Sequence, residues 1–98
     1  MDKVYEALND QGRRAILQIL SLHQGLTVTE LQKQMGMMRQ STLSNHLAVL
    51  KNADLVWCIT KGKWRIYFLQ KQTLKLVIGD LQTFIGNGNM AEIEIRRS

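Results

Sequence analysis

Proline is absent from this chain, and cysteine occurs once, at position 58. A single thiol excludes an internal disulfide and with it the small, disulfide-stapled secreted folds. No apolar run approaches the roughly 18 residues of a membrane span. The start, Met1-Asp2-Lys3, lacks the apolar core of a signal peptide. These absences lead to the expectation of a cytoplasmic protein with no membrane partner. Also missing are a carboxylate pair, a nucleophile–base constellation and a glycine-rich phosphate loop, so nothing points to an enzyme. Acids are scarce in one region. From Lys33 to Lys75 there are eight basic residues and one acid, Asp54, for a net charge of +7, while the whole chain carries +5. A basic block of this kind favours an anionic partner. Nucleic acid fits better than a membrane surface, because the block contains no long basic amphipathic helix.

Within that block lies Arg39-Gln-Ser-Thr-Leu-Ser-Asn-His-Leu-Ala-Val-Leu-Lys51. At 3.6 residues per turn, Leu43, Leu47 and Leu50 share one stripe. Ser41, Ser44, Asn45, Ala48 and Asn52 lie opposite, making a face that is small, polar and nearly uncharged. A helix that meets only water usually carries Glu and Lys there. Short hydrogen-bonding side chains suit a helix lying against base edges in a DNA major groove. The alternative is a solvated helix of low charge, and the surroundings decide between the two.

The rest of the chain reads as follows. Residues 2–8 form a short helix with Val4, Tyr5 and Leu8 apolar. Asn9-Asp10 stops it and supplies an N-cap for a second helix over 11–22. Ile16, Ile19 and Leu20 are the core stripe of that helix, and Leu17 flanks it. Arg13 and Arg14 sit in its first turn, placed for a phosphate or an acidic neighbour, or simply solvated. Thr27-Val-Thr-Glu30 matches a capping box and opens a third helix with Val28, Leu31 and Met35 inward. Gly36 ends that helix as a left-handed C-cap. Two short helices joined by a glycine turn, the second polar on its outer face, are the sequence form of helix-turn-helix. After Asn52 the period changes. Leu55–Thr60 and Trp64–Leu69 read as strands joined by the turn Lys61-Gly62-Lys63, a β-hairpin with a basic tip. A hairpin directly after a recognition helix is a wing. Residues 72–86 return to helix, capped by Thr73 and ended by Asn87-Gly88. The fold class is mainly α with a small β-hairpin, a winged helix-turn-helix in the order ααααββα. Residues 1–88 form the DNA-binding and dimerisation domain, and 89–98 a flexible tail in which Ile93 and Ile95 allow a short strand.

With these elements in place, the chain resembles the ArsR/SmtB family of bacterial winged-helix repressors over residues 4–85. The motifs are Ala7–Leu17 (Ala-Leu-Asn-Asp-Gln-Gly-Arg-Arg-Ala-Ile-Leu), Gln40–Leu50, Ala53-Asp-Leu-Val56 and Gly62–Leu69. The resemblance implies a homodimer built on the first and last helices, through Val4, Tyr5, Leu8, Leu74, Val77, Ile78, Leu81, Phe84 and Ile85. It also implies binding to an inverted-repeat operator in the nucleoid, with transcription blocked by promoter occlusion. Arg39, Gln40, Ser41, Thr42, Ser44, Asn45 and His46 would then lie in or beside the major groove, with Lys61, Lys63 and Arg65 along the flanking backbone. The chain departs from the family in three places. It has Asp10-Gln-Gly-Arg13 where Asp-Pro-Thr-Arg is common. Its turn from Gly36 to Gln40 is one residue longer. Where the family's metal sensors carry a Cys-x-Cys pair, it has Thr27 and Thr29. A hydroxyl is a poor ligand for soft or borderline metals, and the last helix offers Asp80 without a histidine. The expectation is therefore no metal and no cofactor, as in the family's metal-independent, SdpR-type autorepressors.

Several single residues carry two readings. His46 lies about 60° from the leucine stripe and reads as a half-buried structural or phosphate-bonding residue rather than a ligand. Cys58 is an inert thiol by default, and a redox-responsive repressor is the alternative. Trp57 and Trp64 read as core residues paired across the hairpin rather than base-stacking ones. A second functional class also stays open, a winged-helix module that binds a protein partner through its last helix and its Trp-rich hairpin.

Overall fold

The computed structural model describes residues 1–86. The expected domain end at 88, the stop at Asn87-Gly88 and the tail from 89 onward lie outside the described residues. Helix α1 (Asp2–Leu8) buries Val4 and Ala7. Helix α2 (Gln11–Ser21) begins where the Asp10 carboxylate accepts the Arg13 N–H at 3.0 Å, and it buries Ile16, Leu17 and Leu20. Leu17 is thus core, and Ile19, expected in the core stripe, is half-buried.

A two-residue strand β1 (Leu26–Thr27) then precedes helix α3 (Val28–Met35). The capping box at its start is complete. Thr27 Oγ1 accepts from the Glu30 N–H at 3.2 Å, and Glu30 Oε1 accepts from the Thr27 N–H at 2.8 Å. The helix ends at Gly36, but with φ 64° and ψ −102° rather than in the left-handed helical conformation expected there. Helix α4 (Gln40–Asn52) buries Leu43, Leu47 and Leu50 completely or nearly so.

Strands β2 (Val56–Lys61) and β3 (Trp64–Leu69) form the hairpin, joined by Gly62-Lys63 with Lys61 opposite Trp64. The turn needs a residue with positive φ, and Gly62 supplies it at 62°. β1 adds to the far side of β3, pairing Leu26 with Tyr67, so the sheet has three antiparallel strands in the order β1-β3-β2. Two residues are too few to leave an alternating pattern, which is why the sequence hides β1. The topology is therefore ααβααββα.

Helix α5 (Lys71–Ile85) starts one residue before the expected 72, and Thr73 does not cap it. The Gln70 N–H is already held by the Leu55 carbonyl at 2.9 Å, which fixes where the chain turns into the helix. Thr73 is instead buried inside the first turn and donates its hydroxyl to Asp54 Oδ2 at 3.1 Å. Asp54 is the non-glycine residue with positive φ, at 58°. The bond from Thr73 thus anchors the sharp bend between α4 and β2. Gly86, in the left-handed conformation, closes α5.

Ile16, Leu20, Leu31, Leu43, Leu47, Leu50, Leu55 and Val56 are the largest fully buried side chains. Every element from α2 to β2 except β1 contributes at least one of them, so α4 is seated on the centre of the core. Leu47→Ala should lower unfolding free energy by about 2–5 kcal/mol, since a cavity opens under the helix. Ser44→Ala, one turn away on the outer face, should stay within about 0.5 kcal/mol. Urea denaturation of the two variants checks the contrast.

Candidate nucleic-acid interface

The leucine stripe decides which residues of α4 face outward. Arg39, Gln40, Ser41, Thr42, Ser44, Asn45, Ala48, Lys51 and Asn52 are all exposed. The helix surface outside the leucine stripe, including the half-buried His46 and Val49, divides into three edges on the 100° wheel. Ser41, Asn45, Ala48 and Asn52 form the centre. Gln40, Ser44 and Lys51 turn toward the hairpin, and Thr42, His46 and Val49 turn toward α1 and α2. No acid occurs on the helix, and Lys51 in its last turn complements the helix dipole.

Direct cross-strand pairs share a sheet face, so the register assigns the hairpin side chains. Val56, Cys58, Thr60, Arg65, Tyr67 and Leu69 lie on one face, and Trp57, Ile59, Lys61, Trp64, Ile66 and Phe68 on the other. The first face packs on the core through Val56 and Tyr67. Its outer end, Arg65, meets Gln40, Ser44, Ala48 and Lys51 around an open groove of about 750 Å³, floored by Leu47 and Tyr67. The Tyr67 hydroxyl beside Arg65 pushes its guanidinium pKa further up.

The three expected wing cations are therefore separated. Arg65 faces α4. Lys61 lies on the opposite face, next to Trp64 and Ile66. Lys63 sits in the turn with its Nζ 5.2 Å from the Trp64 ring centre, a cation–π contact. Lys51 was not singled out from the sequence. The signal was available, since it lies seven residues, or two turns, beyond Ser44.

The tryptophans are not core. Trp57 is 41% exposed and Trp64 50% exposed. Trp57 stacks on Phe68 with centroids 4.2 Å apart and Trp64 stands opposite Lys61, so the two tryptophans are not paired with each other, and both lie on the outer face of the sheet. A three-stranded sheet has two faces, and the helices of the described chain cover one.

His46 turns inward rather than toward the exposed face. Its side chain is 12% exposed, and Nε2 lies 3.6 Å from Asp10 Oδ1. Arg13 Nη1 approaches Nδ1 to 3.5 Å. Arg13, for which a phosphate role stood open, donates through Nε to the Ala7 carbonyl at 2.7 Å and through Nη2 to that of Glu6 at 3.1 Å. It therefore ties the end of α1 to the start of α2. Arg14 does likewise at Leu8.

Among the residues expected in a dimer interface, Val4 and Val77 are buried in the chain's own core and are not free to meet a second subunit. Tyr5, Leu8 and Leu74 are half-buried against that core. The Tyr5 hydroxyl donates to Asp80, which joins α1 to α5 and raises the phenol pKa. Ile78, Leu81, Phe84 and Ile85 are exposed, and so is Leu76. Cys58 is half-buried opposite Tyr67.

Among the described residues no group of three His, Cys, Asp or Glu side chains could hold a metal ion, and no helix is long and apolar enough to cross a membrane.

A helix seated by a leucine stripe, preceded by a capped helix and followed by a hairpin, defines a winged helix-turn-helix DNA-binding domain. Residues 10–57 match the family described as "Bacterial regulatory protein, arsR family". The chain is 39% identical over 83 residues to the HTH-type transcriptional regulator Rv2034 of Mycobacterium tuberculosis, covering 85% of this chain and 76% of that one. It is 29% identical over 89 residues to the transcriptional repressor SdpR of Bacillus subtilis, covering 91% and 97%. Among solved structures, the ArsR family transcriptional regulator RHA00566 matches with a TM-score of 0.75 at 25% identity, over 99% of this chain and 96% of that one. The Mycobacterium bovis protein Mb0332, described as a homodimeric winged helix-turn-helix DNA-binding domain, shares the fold with a TM-score of 0.69 at 22% identity, over 99% and 82%. The chain belongs to the ArsR family. It is a transcriptional regulator with a DNA-binding domain of that type, and not an enzyme.

Two carboxylates are held below their ordinary range. For Asp10 the main cause is the Arg13 backbone N–H, helped by the charges of His46 and Arg13. For Glu30 it is the Thr27 backbone N–H and then the Thr27 side chain. A folded-state pKa below the unfolded value means that the unfolded chain binds more protons in acid. The stability these groups contribute is fully present above about pH 4.5 and is lost as pH falls through the lowered values. Urea midpoints measured from pH 6 down to pH 3 should therefore fall below about pH 4.5, and less steeply in Asp10→Ser. A flat profile would contradict the assignment.

Proposed function

We propose that this regulator is a dimeric, sequence-specific repressor that binds an inverted-repeat operator and blocks transcription by occluding the promoter. The observation that carries the reading is the outer surface of α4. Ser41, Ser44 and Asn45 are exposed and uncharged at its centre and near edge, and the cations Lys51 and Arg65 flank the groove beside them. Short donors and acceptors suit base edges, and flanking cations suit phosphates. Gln40 and Thr42 extend the reading surface at the helix start, and Arg39 and Lys63 reach toward the backbone on either side. His46 supports the helix from within. Such a protein works where the chromosome is, in the cytoplasm.

The dimer is supported by the exposed apolar residues of α5. Ile78, Leu81 and Ile85 recur at three- and four-residue spacing with Phe84 beside them, and a lone subunit leaves them in water. A relative named as a transcriptional repressor and a homodimer of the same fold agree with this reading.

The donor chemistry favours regulation without a metal. Thr27 and Thr29 stand where the resemblance puts sensor thiols, and the Thr27 hydroxyl is already committed to the capping box. Asp80 is bonded to Tyr5. The Trp57, Ile59 and Trp64 surface favours, as a second reading, control by a protein partner. A redox role for Cys58 would need a thiol from another molecule, because the chain has no second cysteine.

Anisotropy titrations with promoter DNA test the reading. Affinity should fall with salt at about 0.9 log units per phosphate contact. Lys51→Ala and Arg65→Ala should each lower that slope by about one and weaken all sequences alike. Asn45→Ala should relax base preference by about 1–3 kcal/mol. Absence of binding at low salt would sink the proposal. Zinc, or its removal by chelator, should leave the isotherm unchanged, and a shift of tenfold or more would overturn the metal-independent part.

A further inference from the structure

The leucine stripe holds α4 on the core, but burial of apolar surface is non-directional and permits small rotations about the helix axis. At the start of α4 Arg39 makes no side-chain cap, and the Gln32 side chain holds only the Met38 carbonyl just before it. A rotation of about 20° moves side-chain ends, about 5–6 Å from the axis, by roughly 2 Å. That is enough to break a bidentate contact with a base. Something directional must fix the angle.

On the flank of α4 facing α1 and α2, one polar cluster joins three helices. Asp10 Oδ1 accepts the Arg13 N–H that starts α2 and lies 3.6 Å from His46 Nε2. Arg13 Nη1 stands 3.5 Å from Nδ1 of the same ring, while its other nitrogens hold the last carbonyls of α1. The ring thus meets complementary groups on both nitrogens, with Nδ1 toward the Arg13 guanidinium, which can only donate, and Nε2 toward the Asp10 carboxylate. Gly12 leaves room for this approach. A Cβ there would lie 3.0 Å from His46 Nε2 and 3.1 Å from Asp10 Oδ1.

We propose that Asp10, Arg13 and His46 are positioning residues for DNA recognition. Their cluster fixes the rotation of α4 and so the register in which Ser41, Ser44 and Asn45 meet the bases. The inference rests on the operator-binding reading and deepens it, because Asp10 and Arg13 act without touching DNA. It gives the N-terminal helices a part in specificity as well as in folding.

The test separates this role from plain stability. Asp10→Ser keeps a capping oxygen for α2, since serine caps as well as aspartate does, but is too short to reach His46. His46→Leu keeps a side chain against α2 without the polar links. Each is titrated as full-length protein against the best fragment selected from genomic DNA and against random-sequence DNA, with amide exchange followed along α4. The expected result is about a tenfold loss on the selected fragment, the low end of one lost bidentate contact. Random-sequence affinity should stay within about twofold, and exchange should quicken at Leu43–Leu47. Equal losses on both DNAs, or unchanged discrimination in both variants, would overturn the proposal. Wild-type protein that prefers no fragment would refute the operator reading instead. In that case unchanged exchange in α4 would still overturn the positioning role, and faster exchange would support it.

Discussion

Burial of Leu43, Leu47 and Leu50 is the constraint on which the rest of this structure depends. These three side chains are the underside of α4, and they close the core formed by Ile16, Leu20, Leu31, Leu55 and Val56. Because one stripe of the helix is fully committed, the other residues are sorted into an outer face and two flanks. Small polar groups face out, Lys51 faces the hairpin, and His46 faces α2. The same stripe fixes the wing. Leu50 and Leu55 are joined by a backbone bond of 2.9 Å across the bend at Asp54, and the Leu55 carbonyl then holds Gln70 at the start of α5. Core, reading surface, wing and last helix therefore share one short stretch of chain.

Charge is laid over this scaffold rather than built into it. The polar contacts between charged and ionisable side chains of the described residues cluster at Asp10, with Arg13 at 4.0 Å and His46 at 3.6 Å. The cations of the central block are left exposed. Exposed cations add little to stability but much to attraction for a polyanion. The placement is consistent with a protein whose fold rests on apolar contact and whose affinity rests on unpaired charge. Arg13 and Arg14, outside that block, are instead used in holding backbone carbonyls.

Much of the fold was legible in the sequence because its signals are local. The capping box at Thr27 and Glu30, the Asp10 cap, the leucine stripe and the change of period after Asn52 each lie within a few residues, and each names its element correctly. What escaped depends on partners far along the chain. β1 is two residues long and exists only because β3 offers an edge. Thr73 looked like a cap until Asp54, nineteen residues earlier, took its hydroxyl. Trp57 and Trp64 looked like core because size was legible and the covered face of the sheet was not. Of the candidate site, the exposed face of α4 was readable from helical spacing alone. The half-burial of His46 was also readable from its place beside the leucine stripe, whereas its partners Asp10 and Arg13 and the split of Lys61 from Arg65 needed tertiary contacts and strand register. Val4 and Val77 show the same limit, because an apolar residue does not say whether its own chain or a second copy will cover it.

The central claim is that this surface reads DNA sequence as a two-fold pair. Selection of bound fragments from genomic DNA tests it most directly. The account predicts one enriched motif, an imperfect inverted repeat whose half-sites lie about 34–36 Å apart along the helix axis, or a multiple of that. Fragments that share no motif, or a single half-site with no repeat, would contradict it.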